Sequence, residues 1–405
     1  MTACLGLAFT SLAAVAMGAA PAQAATTVGG GSSNYARWSV SGGSGSMTIP
    51  LPGFPAASLD TTSSSTQVPS GASAYLNSST PFGARYGSSR GEPYVLLRTA
   101  RGNKMSTTTL DFDTPPAAGG WGFALGDIDA DLAALSATGV DGRRVSVADL
   151  GFQSTFNFCQ GRPLPSTCGG ATSTDEPRWD PSTGTLIGNI RDTDGASGWF
   201  RPSVAVRTLT IKYSAQAGLP VYQLWVASST RIIAGRVSGH GDCHSHHHDR
   251  LALLNRDGGI VTGPDGKAVY AAVGVDGEYE FPSVAPGVYR VEAVTPHGSR
   301  PVGGVIKTVD VSEGSVTDLD FAFRCRTTVV SPVTETQVGV PAEGPGDIAT
   351  HSNVAIRSHV APTLAATGAF EVTQLADLGL GVAVGGVALW LAAKVLGRRR
   401  DDSSD

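Results

Sequence analysis

The sequence predicts an all-β protein with two β-sandwich domains in tandem, followed by a Pro/Thr-rich stalk and one C-terminal transmembrane helix. Three observations carry this. The 405-residue chain has a net charge of −5, a charged fraction of 16%, 52 Gly and 24 Pro, the balance of a loop-rich β fold and not of a disordered polyelectrolyte. Short apolar segments alternate with period two through its middle, separated by Gly, Asp and Pro turns. Long uncharged apolar runs stand near both ends.

Residues 1–24, MTACLGLAFTSLAAVAMGAAPAQA, join an apolar run to small residues, and AQA at Ala22 to Ala24 fits a signal-peptidase site. No basic segment precedes the run, which predicts a start further upstream. Residues 25–93 include TTVGGGSSNYARW and SLDTTSSSTQVPSGASAYLNSSTPFG. Small polar residues without helical periodicity read as a Ser/Thr/Gly-rich leader with long loops and the first strands.

Residues 94–230 carry YVLLRTA, TTTLDFDTP, GWGFALGDID, RRVSVADLGF, TLIGNIRD, VRTLTIKYSA and VYQLWVASS, strands at the spacing of a jelly-roll-like or immunoglobulin-like sandwich. Only DADLAALSATG is expected to be helical here, and it is short. Residues 231–326 form a second unit, in which KAVYAAV, GEYEFPSV, GVYRVEAVTP and GGVIKTVDVSEG alternate with period two. Residues 327–363, rich in Pro, Thr and Ser with little core material, read as the stalk.

Residues 378–393, LGLGVAVGGVALWLAA, contain no charge, and the apolar segment at 375–397 has the length a bilayer-spanning helix needs. Lys394 can snorkel, and Arg398, Arg399 and Arg400 in the tail 398–405 hold that end in the cytoplasm. The chain between the two apolar ends is therefore expected to be exported. Cysteine usage agrees: Cys4 leaves with the signal, and Cys159, Cys168, Cys243 and Cys325 remain. Four cysteines allow three pairings. Cys159 with Cys168 closes a short loop and Cys243 with Cys325 brackets one domain, so these two bridges are expected.

Ahead of the apolar span stands LAATG: Leu364, Ala365, Ala366, Thr367 and Gly368. This order of pentapeptide, spacer, apolar span and Arg-rich tail resembles a sortase cell-wall sorting signal. Ala365 in place of the common Pro is similar to the LAxTG form used by class E sortases of high-GC Gram-positive bacteria. The resemblance implies that a sortase cysteine attacks the Thr367 carbonyl, releases Gly368 onward and passes the acyl group to an amine of peptidoglycan. Sortase and peptidoglycan are thus its implied partners. The 24 Arg against 5 Lys fit GC-rich coding.

VGVDGEYEFPSVAPGVYRVEAVTP within residues 231–326 resembles the prealbumin-like B-type repeat of surface adhesins, itself related to carboxypeptidase regulatory-like domains. Asp276 and Gly277 make a tight hairpin turn, Tyr279 and Phe281 share one face, and Gly277 and Gly287 supply positive φ. Where that family often carries an Asp/Asn-rich calcium loop, this chain has GHGDCHSHHHDR. WGFALGDIDADLAALSATGVDGRRVSVADLGF is similar to β-sandwich modules of actinobacterial surface proteins.

Two clusters are candidate metal sites. His240, Asp242, His244, His246, His247 and His248, beside Cys243 and Asp249, are imidazole and carboxylate donors suited to zinc, nickel or copper. The alternative is an exposed polar loop tethered by Cys243. Asp127, Asp129 and Asp131 share one face if extended, and with Asp141 form a candidate calcium set. Leu132 stands where a calcium loop needs Gly, which favours a structural turn. Trp121, Trp179, Trp199 and Trp225 are candidates for a sugar-stacking platform, with Trp225 in a strand centre expected to be core.

No nucleophile elbow, P-loop, dinucleotide fingerprint or zinc-protease motif occurs. The acidic balance, with no basic patch outside the tail, argues against nucleic acid. The sequence therefore predicts a wall-anchored, adhesin-like surface protein that is not an enzyme and presents its sandwiches to an unidentified extracellular ligand. A metal-binding module built on the histidines, and a secreted glycan-active enzyme built on the first sandwich's carboxylates, are the alternatives.

Overall fold

The computed structural model describes residues 34–102, 104–169, 174–240, 250–295 and 299–325. The chain divides into residues 1–330 and 331–405, and both sandwiches lie in the first of these units.

The first sandwich is built from β1 (Arg37–Ser41), β2 (Ser44–Thr48), β3 (Ala57–Thr61), β4 (Ser65–Gln67), α1 (Pro81–Tyr86), β5 (Val95–Arg98), β6 (Met105–Phe112), β7 (Trp121–Gly126), β8 (Asp131–Gly139), β9 (Phe152–Asn157), β10 (Arg178–Asp180), β11 (Thr185–Ile187), β12 (Ala196–Phe200), β13 (Val206–Ala215) and β14 (Val221–Ser228). One sheet has the order β1-β2-β3-β6-β13-β8-β11-β10 and the other β4-β5-β14-β7-β12-β9. The pairings are antiparallel, as period-two sequences joined by short turns dictate. Phe112, Trp121, Phe123, Leu209 and Tyr222 fill the space between the sheets.

The segment DADLAALSATG is a strand and not a helix. β8 alternates buried and half-buried positions, sending Asp131, Ala133, Leu135 and Ala137 inward. Between β13 and β11 it gains hydrogen bonds on both edges, which override the helix preference of its Ala and Leu residues.

Residues 25–93 hold the expected first strands and, beyond them, a packed layer where long loops are expected. From Arg37 they supply four strands, and residues 68–94 with α1 cover the outer face of the six-stranded sheet. Leu76, Phe82, Tyr86 and Tyr94 pack there with Trp199 and Trp225, and Phe158 joins them from the end of β9. This cover explains why β7 and β14 are buried at every position where a half-exposed strand would alternate. α1 starts where Thr80 Oγ1 accepts from Gly83 N at 3.1 Å with Pro81 behind it, and it ends at Gly87 with φ 89°.

The second sandwich comprises β15 (Arg231–His240), β16 (Arg250–Asn255), β17 (Tyr270–Ala272), β18 (Glu278–Val284), β19 (Val288–Ala293), β20 (Ser299–Val302), β21 (Ile306–Asp310) and β22 (Phe321–Cys325). Its sheets run β18-β15-β22-β20 and β17-β16-β19-β21 around Ile233, Leu253, Tyr279, Phe281, Val291 and Phe323. Gly277, at φ 84°, makes the turn before β18, as DG requires.

The two sandwiches meet in a built junction. Ala285 belongs to the buried cluster of the first sandwich, and its N–H donates to Pro52 O at 2.8 Å. Gly53, at φ 83°, lies so close to Tyr289 that a Cβ there would collide with its ring. Ser229 N–H donates to Gly120 O at 2.8 Å.

Candidate functional site

Strand polarity locates the loops. β7 runs from Trp121, paired with Ser228 beside the linker, to Gly126, paired with Gln223. Residues 127–131 therefore lie at the end of the first sandwich remote from the second. Asn157 pairs with Ala196 at the same end, and Ala215 with Asp131. The turns 99–102, 127–130, 158–169, 174–177, 188–195 and 216–220 are thus gathered on one outer tip.

Asp129 is the hub of this tip. It is 4% exposed, and its Oδ1 accepts from Ala130 N at 2.6 Å while its Oδ2 accepts from Thr193 N at 2.5 Å. Ile190 N–H donates to Asp129 O, and Gly188 N–H to Asp131 O. One acid thereby fastens the 188–195 segment to the start of β8. Burial pushes Asp129 up to about 6, the two backbone N–H bonds oppose this, and the charge of Asp192 adds to it.

Asp131 is 1% exposed. Burial, with the neighbouring Asp129, Asp127 and Asp192 charges adding, pushes it up to about 9 against a lowering hydrogen bond from Tyr213. The Tyr213 hydroxyl stands 2.7 Å from Asp131 Oδ1 and 3.0 Å from Val221 O. The hydroxyl donates to both, and burial between the sheets favours the protonated form of Asp131.

These residues do not fit the calcium set. Asp141 sits beyond the opposite end of β8, in a turn where its Oδ1 accepts from Arg143 N at 3.0 Å. It cannot join Asp127, Asp129 and Asp131. Both Asp129 oxygens are taken by backbone N–H groups, and Asp131 Oδ1 accepts from the Tyr213 hydroxyl. Asp127 occupies the turn at φ 64°. Sequence alternation alone placed these acids on one face; the turn at 127–130 breaks that alternation. Among the described residues no three His, Cys, Asp or Glu side chains converge as a metal would require.

Cys159 and Cys168 are bonded to each other. Asn157 caps the loop they close: its Oδ1 accepts from Cys159 N at 2.8 Å, and its Nδ2 donates to Asp175 O and Asp194 O. The bridge and Asn157 thus tie three tip segments together. Asp242, Cys243, His244, His246, His247 and His248, the LAATG residues 364–368 and the apolar span 375–397 lie outside the described residues. The backbones of His240 and Cys325 are described, as the ends of β15 and β22. Among the described residues no helix is long and apolar enough to cross a membrane.

No family model and no curated protein matches the chain. Solved structures do. BcpA, the major pilin subunit of Bacillus cereus, matches at 12% identity over 56% of this chain and 65% of its own, with a TM-score of 0.21. The group B streptococcus pilus 2b backbone protein matches at 12% identity over 57% of this chain and 98% of its own, with a TM-score of 0.22. The full-length major pilin SpaD from Corynebacterium diphtheriae matches at 8% identity over 66% and 68%, with a TM-score of 0.20. The chain spans slightly under two thirds of the first of these. All three are pilus subunits. TM-scores this low assign neither fold nor role, which rest on this chain's own features.

The tryptophans are structural. Trp121 packs on Phe112 at 5.0 Å and Trp225 stacks on Tyr94 at 4.8 Å, both fully buried. Trp199 Nε1 donates to Ser154 Oγ at 3.0 Å, and Trp179 stacks on Phe152 at 5.2 Å. A cleft of about 500 Å³ lies between the sandwiches, and Asp127, Asp129 and Asp131 do not line it. Thr193 and Tyr213, which hold the two buried acids, were not foreseen. The inward phase of Tyr213 in VRTLTIKYSA was their one sequence signal.

Proposed function

We propose that this chain is a cell-wall surface protein that presents the outer tip of its first sandwich to an extracellular ligand and is attached to peptidoglycan through Thr367. The order LAATG, apolar span and arginine tail carries the reading. Strand polarity supports it. β22 runs parallel to β15, pairing Val237 with Phe321 and His240 with Arg324. The chain therefore leaves the second sandwich at the end opposite Arg231. The loops at 127–131, 158–169, 174–177 and 188–195 lie at the end of the first sandwich remote from the second.

In this reading a class E sortase thiolate adds to the Thr367 carbonyl and the Thr367–Gly368 bond breaks, giving a thioester and a free Gly368 amine. A peptidoglycan amine then displaces the thiol, and the apolar span serves only to retain the substrate until that transfer. The loops serve adhesion or display.

The test is fractionation of cells expressing the chain. Muramidase should release wild-type protein joined to wall fragments, and Thr367→Ala should abolish that release and leave the protein in the membrane fraction. Complete extraction of wild type by detergent without muramidase would overturn the reading.

A further inference from the structure

Alternation leaves the outer face of a half-buried sheet to polar residues, and the sheet β17-β16-β19-β21 of the second sandwich departs from this. Its inward side chains, Leu251, Leu253, Val291 and Val309 among them, fill the core. Of the ten large apolar side chains exposed among the described residues, Ile260, Tyr270, Val294 and Ile306 stand together on the opposite face. Single apolar residues on a surface need no explanation, whereas a cluster on one face does.

The register sets this face in two rows across the strands. Ala252 pairs with Tyr270 on one side and Glu292 on the other, and Glu292 pairs with Ile306. Two positions along, Leu254 is bridged to Ile260 and pairs with Arg290, which pairs with Thr308. Arg250 lies over the Tyr270 ring, 4.3 Å from its centroid. Tyrosine and arginine beside an apolar centre are residues that protein contacts favour. Among the described residues neither Arg290 nor Glu292 forms an ion pair. Both point outward from β19, about 7 Å apart along the strand.

We propose that this face pairs with the same face of a second copy of the chain. A two-fold axis lying between the rows and across the strands turns each row onto the other. Tyr270 then meets the second copy's Ile260, Ala252 its Leu254 and Ile306 its Thr308. Glu292 meets the second copy's Arg290, and by symmetry Arg290 meets its Glu292. Two charges left unpaired in one chain thereby become two ion pairs. A partner carrying one sign of charge would satisfy only one of them, which selects a second copy as the occupant. Four strands about 4.8 Å apart and about five residues long present roughly 300 Å². A stable complex buries about 800 Å² on each partner, so this pairing is reversible and depends on concentration. It does not depend on how the chain is anchored.

Sedimentation velocity on the full chain in detergent, over a concentration series, tests this. Wild type should associate reversibly. Arg290→Glu opposes two carboxylates at each contact and Glu292→Arg opposes two guanidiniums, so each variant alone should associate about tenfold or more weakly. An equimolar mixture of the two variants restores opposite charges at both contacts and should associate as tightly as wild type, as should a chain carrying both substitutions. Recovery on mixing cannot arise from a change in either chain's fold. Tyr270→Ala should also weaken association, and Arg143→Glu, at a side chain 88% exposed on the first sandwich, should leave it unchanged. Wild type that stays monomeric throughout, single variants that associate as well as wild type, or a mixture no tighter than its components would overturn the proposal.

Discussion

Asp131 enters the space between two sheets from the first position of β8, where burial favours its protonated form. Its folded value of about 9 lies far above the ordinary 3.8. Between those values the folded state holds more protons than the unfolded, so stability falls as pH rises through that window and levels off above about 9. Asp129, raised to about 6, adds a smaller fall at the acid end. Asp131→Asn keeps a neutral donor and acceptor beside Tyr213. It should flatten the decline and stabilise the protein at pH 8 by on the order of 1–3 kcal/mol. Thermal unfolding of both proteins from pH 5 to pH 9 measures this, and parallel curves would show that Asp131 ionises freely. None of this could be read from DIDAD, because alternation gives the face of an acid and not what lies opposite it. Burial between the sheets raises its pKa, and the hydrogen bond from Tyr213, eighty-two positions away, opposes that rise.

At the scale of elements, legibility followed the strength of the period. TTTLDF, VRTLTIKYSA and EYEFPSV alternate large and polar residues, and each forms a strand with the expected inward face. β8 hid its period because Ala and Leu occupy both faces, so only hydrogen bonding to β11 and β13 reveals it. The cover over the six-stranded sheet was illegible for another reason. Its buried residues Leu76, Phe82 and Tyr86 are too widely spaced among Ser, Thr and Gly to show any repeat. If that segment is a structural layer, Phe82→Ala should cost about 3–5 kcal/mol in denaturant unfolding, as at a core position. A cost near zero would return it to the status of a loop. Cys159→Ser with Cys168→Ser should lower stability by about 2–3 kcal/mol, the loop-closure value for so short a ring.

At the scale of the whole molecule, two sandwiches were readable, but their joint was not. Nothing in GFP or APGV announces that Gly53 and Tyr289 touch, since they lie on different sandwiches and meet only after both have folded. Gly53→Val places a β-branched residue at φ 83° against that ring. It should cost about 1–3 kcal/mol by overpacking and separate a single calorimetric transition into two. Retention of one transition at unchanged temperature would show that the joint does not couple the domains. The parallel pair β15 and β22 also has a mechanical meaning. A load between a ligand at the tip and an attachment beyond Cys325 pulls β15 by its first residue and β22 by its last, in opposite directions along one ladder. Their hydrogen bonds are then strained together in shear, where a hairpin pulled from its open end would yield one bond at a time. The second sandwich is thereby threaded to carry tension.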